Sequence, residues 1–420
     1  MRTALSSLTL RGRAFLAAGT TAVVCAVLLG QEPLVRIGAL VVALPLLAAV
    51  LVGRGRQRLS LVRSVTPSVV TTGQPAEVRL DLANDGNRHT GLLLLEEHLP
   101  YVLGTRPRFV LDGLAKGAHR HVSYQVRSDV RGHFPIGPMT VRVTDPFGMV
   151  ELGRTFHVSH PLVVTPRTVS LPSIPLGGSW SGSGDNRPRA FAIGSAEDVT
   201  VREYRTGDDL RRVHWRSSAR AGELMVRREE QPWHSRATLF LDNRSGAHRG
   251  QGSASSLETA VSAMASIGLH LGERGYAVRL VTATGEDPGT TWHERDAGAS
   301  RALLLETLAA VELVDRPHLD NSWLTEQTHT GLLVAVLGDL DPADQSVLRR
   351  MQHHAGSCLA VVLDVESWAR GASPTPGRTS STLAGLGWRS ATLLPQGSLP
   401  AAWQQLGQSR SPATTGGAGS

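Results

Sequence analysis

Two apolar runs near the N-terminus constrain this chain more than any other feature. Ala14–Gly30 (AFLAAGTTAVVCAVLLG) carries no charge, and Leu34–Val52 (LVRIGALVVALPLLAAVLV) carries only Arg36. Each is about the length a helix needs to cross a hydrocarbon layer roughly 30 Å thick. Only Gln31-Glu32-Pro33 lies between them, which predicts a helical hairpin broken at the proline. A cleaved signal peptide is the alternative, but a second span follows at once and no small-residue cleavage site precedes a mature start. Arg2, Arg11 and Arg13 precede the first run, and Arg54, Arg56, Arg58 and Arg63 follow the second. The positive-inside rule then predicts a plasma-membrane protein with two spans, about 14–30 and 34–52, and both termini cytoplasmic. The flanking arginines are placed to meet anionic membrane lipids.

The 420 residues exceed one ordinary core, so two or three folded units are expected. Net charge is +7, and Lys116 is the sole lysine among 43 basic residues. Arginine suits bidentate pairing with carboxylates or phosphates, although a GC-rich genome produces the same bias. Cys25 and Cys358 are the only cysteines, both in apolar surroundings, so no disulfide framework is expected.

From Leu59 to about Pro166 the pattern has a period of two. Val78, Leu80 and Leu82 alternate with charged residues, as do Val122, Tyr124 and Val126, and Met139, Val141 and Val143. Turn sequences separate the runs: Thr72-Gly73-Gln74-Pro75, Asn84-Asp85-Gly86-Asn87 and Asp145-Pro146-Phe147-Gly148. Short strands at this spacing predict a β-sandwich, immunoglobulin-like in type. No catalytic constellation lies in it. Ser170–Gly184 (SLPSIPLGGSWSGSG) reads as a mobile connection.

The stretch Val201–Arg220 (VREYRTGDDLRRVHWRSSAR) gathers Arg, Glu, Tyr, Asp and Trp around one glycine turn. Arg202, Glu203 and Tyr204 read as extended, Thr206-Gly207 as a turn, and Asp208 or Asp209 as the cap of a helix over Leu210–Arg220. Arg211 and Trp215 fall four apart on one helix face, and Trp215 is suited to act as a buried anchor. Two uses compete. One is an ion-pair network docking the segment onto the next domain, with Arg202, Arg211 and Arg220 set against Glu203, Asp208 and Glu230. The other is an exposed surface for a partner. Alternating charge signs argue against nucleic acid, which calls for a one-signed patch.

Arg131–Arg154 (RGHFPIGPMTVRVTDPFGMVELGR) followed by Val201–Glu230 resembles the domain of unknown function 58 family, with His214 and Ser218 departing from its usual acidic residue and threonine. The resemblance implies a membrane-anchored protein with a von Willebrand factor A-like domain that works with MoxR-type AAA+ ATPases. It singles out Arg202, Glu203, Tyr204, Gly207, Asp208, Asp209, Arg211, Trp215, Ala219 and Arg220 as signature and docking residues.

Beyond the signature, apolar runs Ala237–Leu241, Tyr276–Ala283, Leu332–Leu337 and Cys358–Leu363 alternate with helical patterns at Leu257–Leu271, Arg301–Val311 and Val347–His354. This predicts a mostly parallel sheet covered on both faces. The order resembles a von Willebrand factor A-like domain, in which a D-x-S-x-S stretch helps hold magnesium. Here the stretch is Asp242-Asn243-Arg244-Ser245-Gly246. Arg244 in a ligand position repels a hard cation, so no cofactor is expected and Arg244 should pair with a carboxylate. Asp242, Ser245 and Asp339 remain as degenerate magnesium candidates.

Other chemistry is excluded or weakened. Lys116 lacks the glycine array of a Walker A loop, and Gly178–Gly182 places Trp180 where a nucleophile elbow needs serine. His293-Glu294 lacks a second zincin histidine, and the pairs His119/His121 and His353/His354 lack partners at zinc spacing. The expected organisation is therefore a transmembrane hairpin over 1–56, a β-sandwich over 57–166, linker and signature over 167–234, an α/β domain over 235–406 and a disordered tail over 407–420. The expected function is a non-enzymatic, cytoplasm-facing adaptor in complex assembly or cell-envelope processes. Its partners would be membrane lipids, a MoxR-type ATPase and other membrane or envelope proteins. The alternative is a hydrolase with its site near the C-terminal strand ends.

Overall fold

The computed structural model describes residues 7–54, 58–145, 147–176, 200–203, 215–228, 235–285, 297–324, 330–369 and 378–408. The chain forms two compact units. One comprises Met1–Thr168 with Gly250–Ala265 and Ala302–Glu312, and the other comprises Val169–Arg249, Ser266–Arg301 and Leu313–Ser420.

The first unit begins with helices α1 (Leu10–Leu28) and α2 (Glu32–Arg54). Both are long and apolar enough to cross a membrane. The break between them, residues 29–31, falls earlier in the chain than the sequence suggests. Glu32 and Pro33 belong to the first turn of α2 rather than to the loop. A proline there loses no hydrogen bond, because the first amides of a helix have no intrahelical acceptor. The helices approach closely through glycines. A Cβ on Gly19 would lie 2.7 Å from Val42, and one on Gly38 2.7 Å from Val23.

Ten strands follow: β1 (Leu59–Thr66), β2 (Val69–Thr71), β3 (Pro75–Asn84), β4 (Leu92–Glu97), β5 (Arg108–Leu111), β6 (His119–Arg127), β7 (Gly132–Ile136), β8 (Met139–Thr144), β9 (Glu151–Phe156) and β10 (His160–Thr165). They form three sheets, ordered β1-β3-β6, β2-β10-β7 and β5-β4-β8-β9. Alternation explains their common core. Val78, Leu80 and Leu82 of β3, Leu93 and Leu95 of β4, Met139, Val141 and Val143 of β8, and Leu162 and Val164 of β10 meet inside it. Turn side chains satisfy the backbone groups the ladders leave over. Asn84 donates to the carbonyls of Arg88 and Leu114 and accepts from Gly86 N.

This unit also buries charge. Arg63 and Glu97 form an ion pair at 2.6 Å with both side chains removed from water. Burial pushes the Glu97 carboxyl above its ordinary range, against the opposing pull of Arg63. Arg131, the first residue of the segment that carried the family resemblance, is likewise buried. It donates from Nε to Leu308 O at 2.9 Å and pairs with Glu258.

The second unit opens on a β-ribbon, β11 (Thr200–Glu203) and β12 (Met225–Arg228), with α3 (Trp215–Ala221) between them in sequence. Its main body holds β13 (Ser235–Leu241), β14 (Tyr276–Thr282), β15 (Thr330–Leu337), β16 (Ala355–Leu363) and β17 (Arg389–Leu393) in one parallel sheet ordered β14-β13-β15-β16-β17. Helices α4 (Ser256–Glu273), α5 (Ala297–Ala310), α6 (Gln345–His354) and α7 (Arg378–Gly385) fall between strands in sequence, and α8 (Leu399–Gln408) follows the last. Ala237 to Leu241 are buried without alternation, as expected of a strand covered on both faces. One face packs Phe240, Leu333, Ala335 and Ala360 with Leu348, Met351 and Leu383. Trp403 of α8 is fully buried and donates to Pro172 O at 3.2 Å, and Ile174 is buried as well. The beginning of the stretch expected to be a mobile connection is thus held by packing.

Glu97 supplies the opposite charge for a cation that cannot reach water. Arg63→Ala should therefore cost about 3–5 kcal/mol in chemical denaturation of the detergent-solubilised chain, while the paired change Arg63→Met with Glu97→Leu should recover most of it.

Candidate functional site

The order β14-β13-β15-β16-β17 places β13 beside strands that follow it in both directions. From β13 the chain crosses first to β14 on one side and then to β15 on the other. In open parallel sheets the crevice at the C-terminal ends of such a strand pair is where ligands bind. Here it lies at the ends of β13 and β15, where Asp242, Asn243, Arg244 and Asp339 stand.

Arg244 fills that crevice. Its Nε and Nη2 donate to the two oxygens of Asp242, each at 2.9 Å. Its Nη1 donates to Asp344 Oδ2 at 2.9 Å and to Pro317 O at 3.1 Å, and Nη2 also reaches Asp339 O at 3.3 Å. The Arg244 side chain is 4% exposed, and those of Asp242 and Asp344 are 0% exposed. Burial works against the guanidinium charge, but hydrogen bonds and charge from Asp242 and Asp344 outweigh it and hold the pKa above its usual value. The carboxylates are themselves fixed by backbone amides. Asp344 accepts from Leu319 N and Asp341 N, and Asp242 Oδ1 also accepts from Arg244 N.

The surrounding loops close over this network. Asn243 Oδ1 accepts from Ala283 N at 3.1 Å, and Asn243 O accepts from Val314 N at 2.9 Å. The short turn Ser245–Ala247 lies over the end of β15, where Asp339 N donates to Ala247 O at 3.1 Å. Gly338 is required there, because a Cβ would stand 2.0 Å from Ala247 O. His248 is buried and its Nε2 lies 2.6 Å from Asp242 O. A carbonyl oxygen can only accept, so Nε2 carries the proton. Burial depresses the His248 pKa and keeps the ring neutral.

The magnesium ion implied by a von Willebrand factor A-like domain does not fit these residues. Both Asp242 oxygens already accept from a cation. Ser245 and Asp339 are exposed, and Asp339 turns its backbone carbonyl, not its carboxylate, toward Arg244. The three candidates therefore do not converge on one point. Among the described residues no group of three or more His, Cys, Asp or Glu is placed to hold a metal ion. The expected pairing of Arg244 with a carboxylate is present, but with two carboxylates rather than one. Asp344 and His248 were missed. The only sequence signal for Asp344 was the helix-start pattern Asp341-Pro342-Ala343-Asp344, a capping box in the structure.

The signature residues stand elsewhere in this unit. Arg202 and Glu203 lie on β11, opposite Val226 and Met225 of β12. Trp215, Ala219 and Arg220 lie on α3. Tyr204, Gly207, Asp208, Asp209 and Arg211 lie outside the described residues, as does Glu230, and with them half of the expected ion-pair network. Ser218 ties α3 to the next strand, its Oγ accepting from Met225 N at 2.8 Å. Gly222, at φ +76°, ends the helix and donates to Ser218 O. The expectation that Trp215 is a buried anchor is corrected. It opens this short helix and is 72% exposed, with Arg216 and Arg220 exposed beside it.

A cleft of about 250 Å³ lies past β15, lined by Leu340, Asp341, Pro342, Gln345, Leu348, Thr379, Ser381 and Thr382. Its lining offers hydroxyls and a carboxylate but no imidazole. Cys358 is no nucleophile, since burial pushes its thiol up to about 12. His119 and His121 sit exposed on β6 near Asp81, as surface partners.

Residues 200–316 match the family described as "Protein of unknown function DUF58". The family resemblance carried by Val201–Glu230 is thereby shown over a segment that spans both the signature and the Arg244 loop. No curated protein matches the chain. Solved structures match over about a quarter of it. The CARDB domain of a Pyrococcus furiosus protein, in complex with di-metal ions, is 15% identical, with 26% of this chain and 93% of that one covered and a TM-score of 0.20. Pseudomonas fluorescens alkylpurine DNA glycosylase AlkC, bound to DNA containing an abasic site analogue, is 20% identical over 29% of this chain and 39% of that one, with a TM-score of 0.15. A Listeria innocua beta-glucosidase in complex with glucose is 12% identical over 25% and 16%, with a TM-score of 0.16. Similarity this slight carries no functional argument.

Arg244→Ala should cost about 3–5 kcal/mol, because it strands two buried carboxylates. Chelator or added magnesium should leave the melting temperature of the unaltered protein unchanged, as measured by differential scanning fluorimetry in detergent. His248 sets a pH dependence. The unfolded state takes up a proton as pH falls through about 6.5, while the folded state resists until its depressed pKa is reached. Stability should therefore fall below about pH 6.5, and His248→Gln should flatten that slope in melts from pH 7.5 to 5.

Proposed function

We propose that this chain, which carries a DUF58 segment at residues 200–316, is a membrane-anchored, cytoplasm-facing adaptor working beside a MoxR-type AAA+ ATPase. The observation that carries this reading is the filled switch point. Where a parallel sheet of this kind takes a ligand, the protein has its own guanidinium between two carboxylates. With the switch point filled, the reading places partner binding on the surface of the domain. The family signature offers such a surface in Trp215, exposed with Arg216 and Arg220 on one short helix. Tryptophan and arginine are the residues that most often dominate binding energy at protein interfaces.

The finer architecture belongs to the same reading. Alternating strands around one core support an immunoglobulin-like sandwich in the first unit. The parallel sheet alternating with helices supports a von Willebrand factor A-like character in the second, with Arg244 standing in for the metal. The two apolar helices and their flanking arginines support a plasma-membrane hairpin with both termini cytoplasmic. The ATPase would remodel a target that this protein holds at the membrane in complex assembly or envelope work. The alternative, a hydrolase acting near the strand ends, rests on the cleft beside Asp341, whose lining offers a carboxylate and hydroxyls but no imidazole.

The detergent-solubilised full chain, used as bait against its own cell extract, should retain a MoxR-type ATPase. Trp215→Ala and Arg220→Ala should each weaken retention by at least about tenfold without moving the melting temperature, as expected of exposed interface residues. If the unaltered chain retains no ATPase, the reading fails.

A further inference from the structure

One loop of the first unit is tied to the membrane-length helices rather than standing clear of them. Between β8 and β9, residues 147–150 are shaped by Asp145. Its carboxylate accepts from Phe147 N at 3.0 Å and Val150 N at 2.7 Å, and Gly148 closes the turn at φ +67°. The chain entering α1 pairs with this loop. Leu8 forms an antiparallel bridge with Val150. Thr9 donates from its amide to Met149 O at 2.9 Å and from its hydroxyl to Gly148 O at 2.7 Å. Contact is close enough that a Cβ on Gly12 would lie 2.3 Å from Met149 O.

The depth of these contacts is informative. Met149 and Val150 cluster with Leu8, Ala48 and Ala49, with Leu16 and Leu44 packed against them. Leu16 lies within the first apolar run, and Leu44, Ala48 and Ala49 lie within the second. A loop that touches those residues cannot be held clear of the bilayer if the helices span it. Yet Phe147, in the same loop, is 61% exposed. Leu10 and Phe15 are exposed nearby on α1, as are Arg11 and Arg13, and Arg11 reaches to within 3.6 Å of where a Gly148 side chain would begin.

We propose that residues 147–150 form a membrane finger whose occupant is the lipid bilayer, with Phe147 seated at the headgroup–acyl boundary and Arg11 and Arg13 facing anionic headgroups. An aromatic ring gains from leaving water there, while the arginines keep their charge at the polar level. The finger fixes the tilt of the β-sheet unit over the membrane, with the Thr144 end of β8 turned toward lipid. Register gives an internal contrast. Thr144 pairs with Leu92 at one end of β4, and Met139 pairs with Glu97 at the other. Tyr101 follows that second end, is highly exposed, and lies roughly 15–20 Å farther along the sheet.

The proposal rests on the membrane-anchored reading of the helices, and the test separates the two. The full chain is reconstituted into vesicles of phosphatidylcholine and phosphatidylglycerol carrying doxyl-labelled lipid. An environment-sensitive NBD label is attached at Cys25 in the unaltered chain, or at Phe147→Cys or Tyr101→Cys on a Cys25→Ala background with the buried Cys358 left in place. Blue-shifted emission and loss of most of the intensity to the lipid quencher at positions 25 and 147, with neither at 101, is the expected result. Quenching at 25 without quenching at 147 overturns the finger and leaves the anchor standing. No quenching at 25 overturns both.

Discussion

Arg244 is a cation with no water to solvate it, and the C-terminal edge of the parallel sheet is arranged around that fact. A buried guanidinium persists only when opposite charges and acceptors take up its donors. Here two carboxylates and two backbone carbonyls do so, drawn from β13, from the segment after α5 and from the loop after β15. The same carboxylates receive backbone amides, so the guanidinium and the backbone bonds beside it hold three loops together. Here the gathering charge is covalently part of the chain and present in every folded molecule.

The first unit solves a similar problem with different residues. Its loops and sheet ends are held by buried polar side chains that donate or accept from backbone: Asn84 at one turn, Asp145 at another, and Arg63 reaching Val158 O as well as Glu97. Each of these side chains satisfies groups that water would otherwise have to reach. This is also why Gly137 cannot carry a side chain, since its Cβ would fall 2.9 Å from the Arg63 guanidinium. Between β8 and β9, Met149 and Val150 pack alongside the two long helices.

Much of this was legible in the sequence because periodicity reports burial directly. The two long helices, the alternating strands of the first unit and the uninterrupted apolar strands of the second all follow from which residues must leave water. What periodicity could not resolve was short or polar. β17 and α8 close the sheet and cover it with Trp403, although their segments carry only modest apolar patterns. Trp215 reads as a buried ring because of its size, but burial depends on what packs against it, and Trp215 is 72% exposed. Pro33 read as a break, yet proline in a first turn starts a helix as readily as it ends one.

The sequence by itself determined that Arg244 could not serve a metal, because a guanidinium in a ligand position offers no lone pair and carries the wrong charge. It determined equally that two segments could cross a bilayer, because length and apolarity are properties of the chain alone. Only the tertiary structure decided what Arg244 does instead. Asp344 is one hundred residues away, and no spacing rule links it to Asp242 until the strand order sets β15 beside β13. The same holds for Phe147, whose sequence reads as an ordinary turn. Its place beside the long helices comes from contacts between residues far apart in the chain: Leu8 bridges Val150, and the Thr9 hydroxyl donates to Gly148 O, 139 residues away. Long-range pairing is set by topology, and topology is the one quantity a local pattern does not carry.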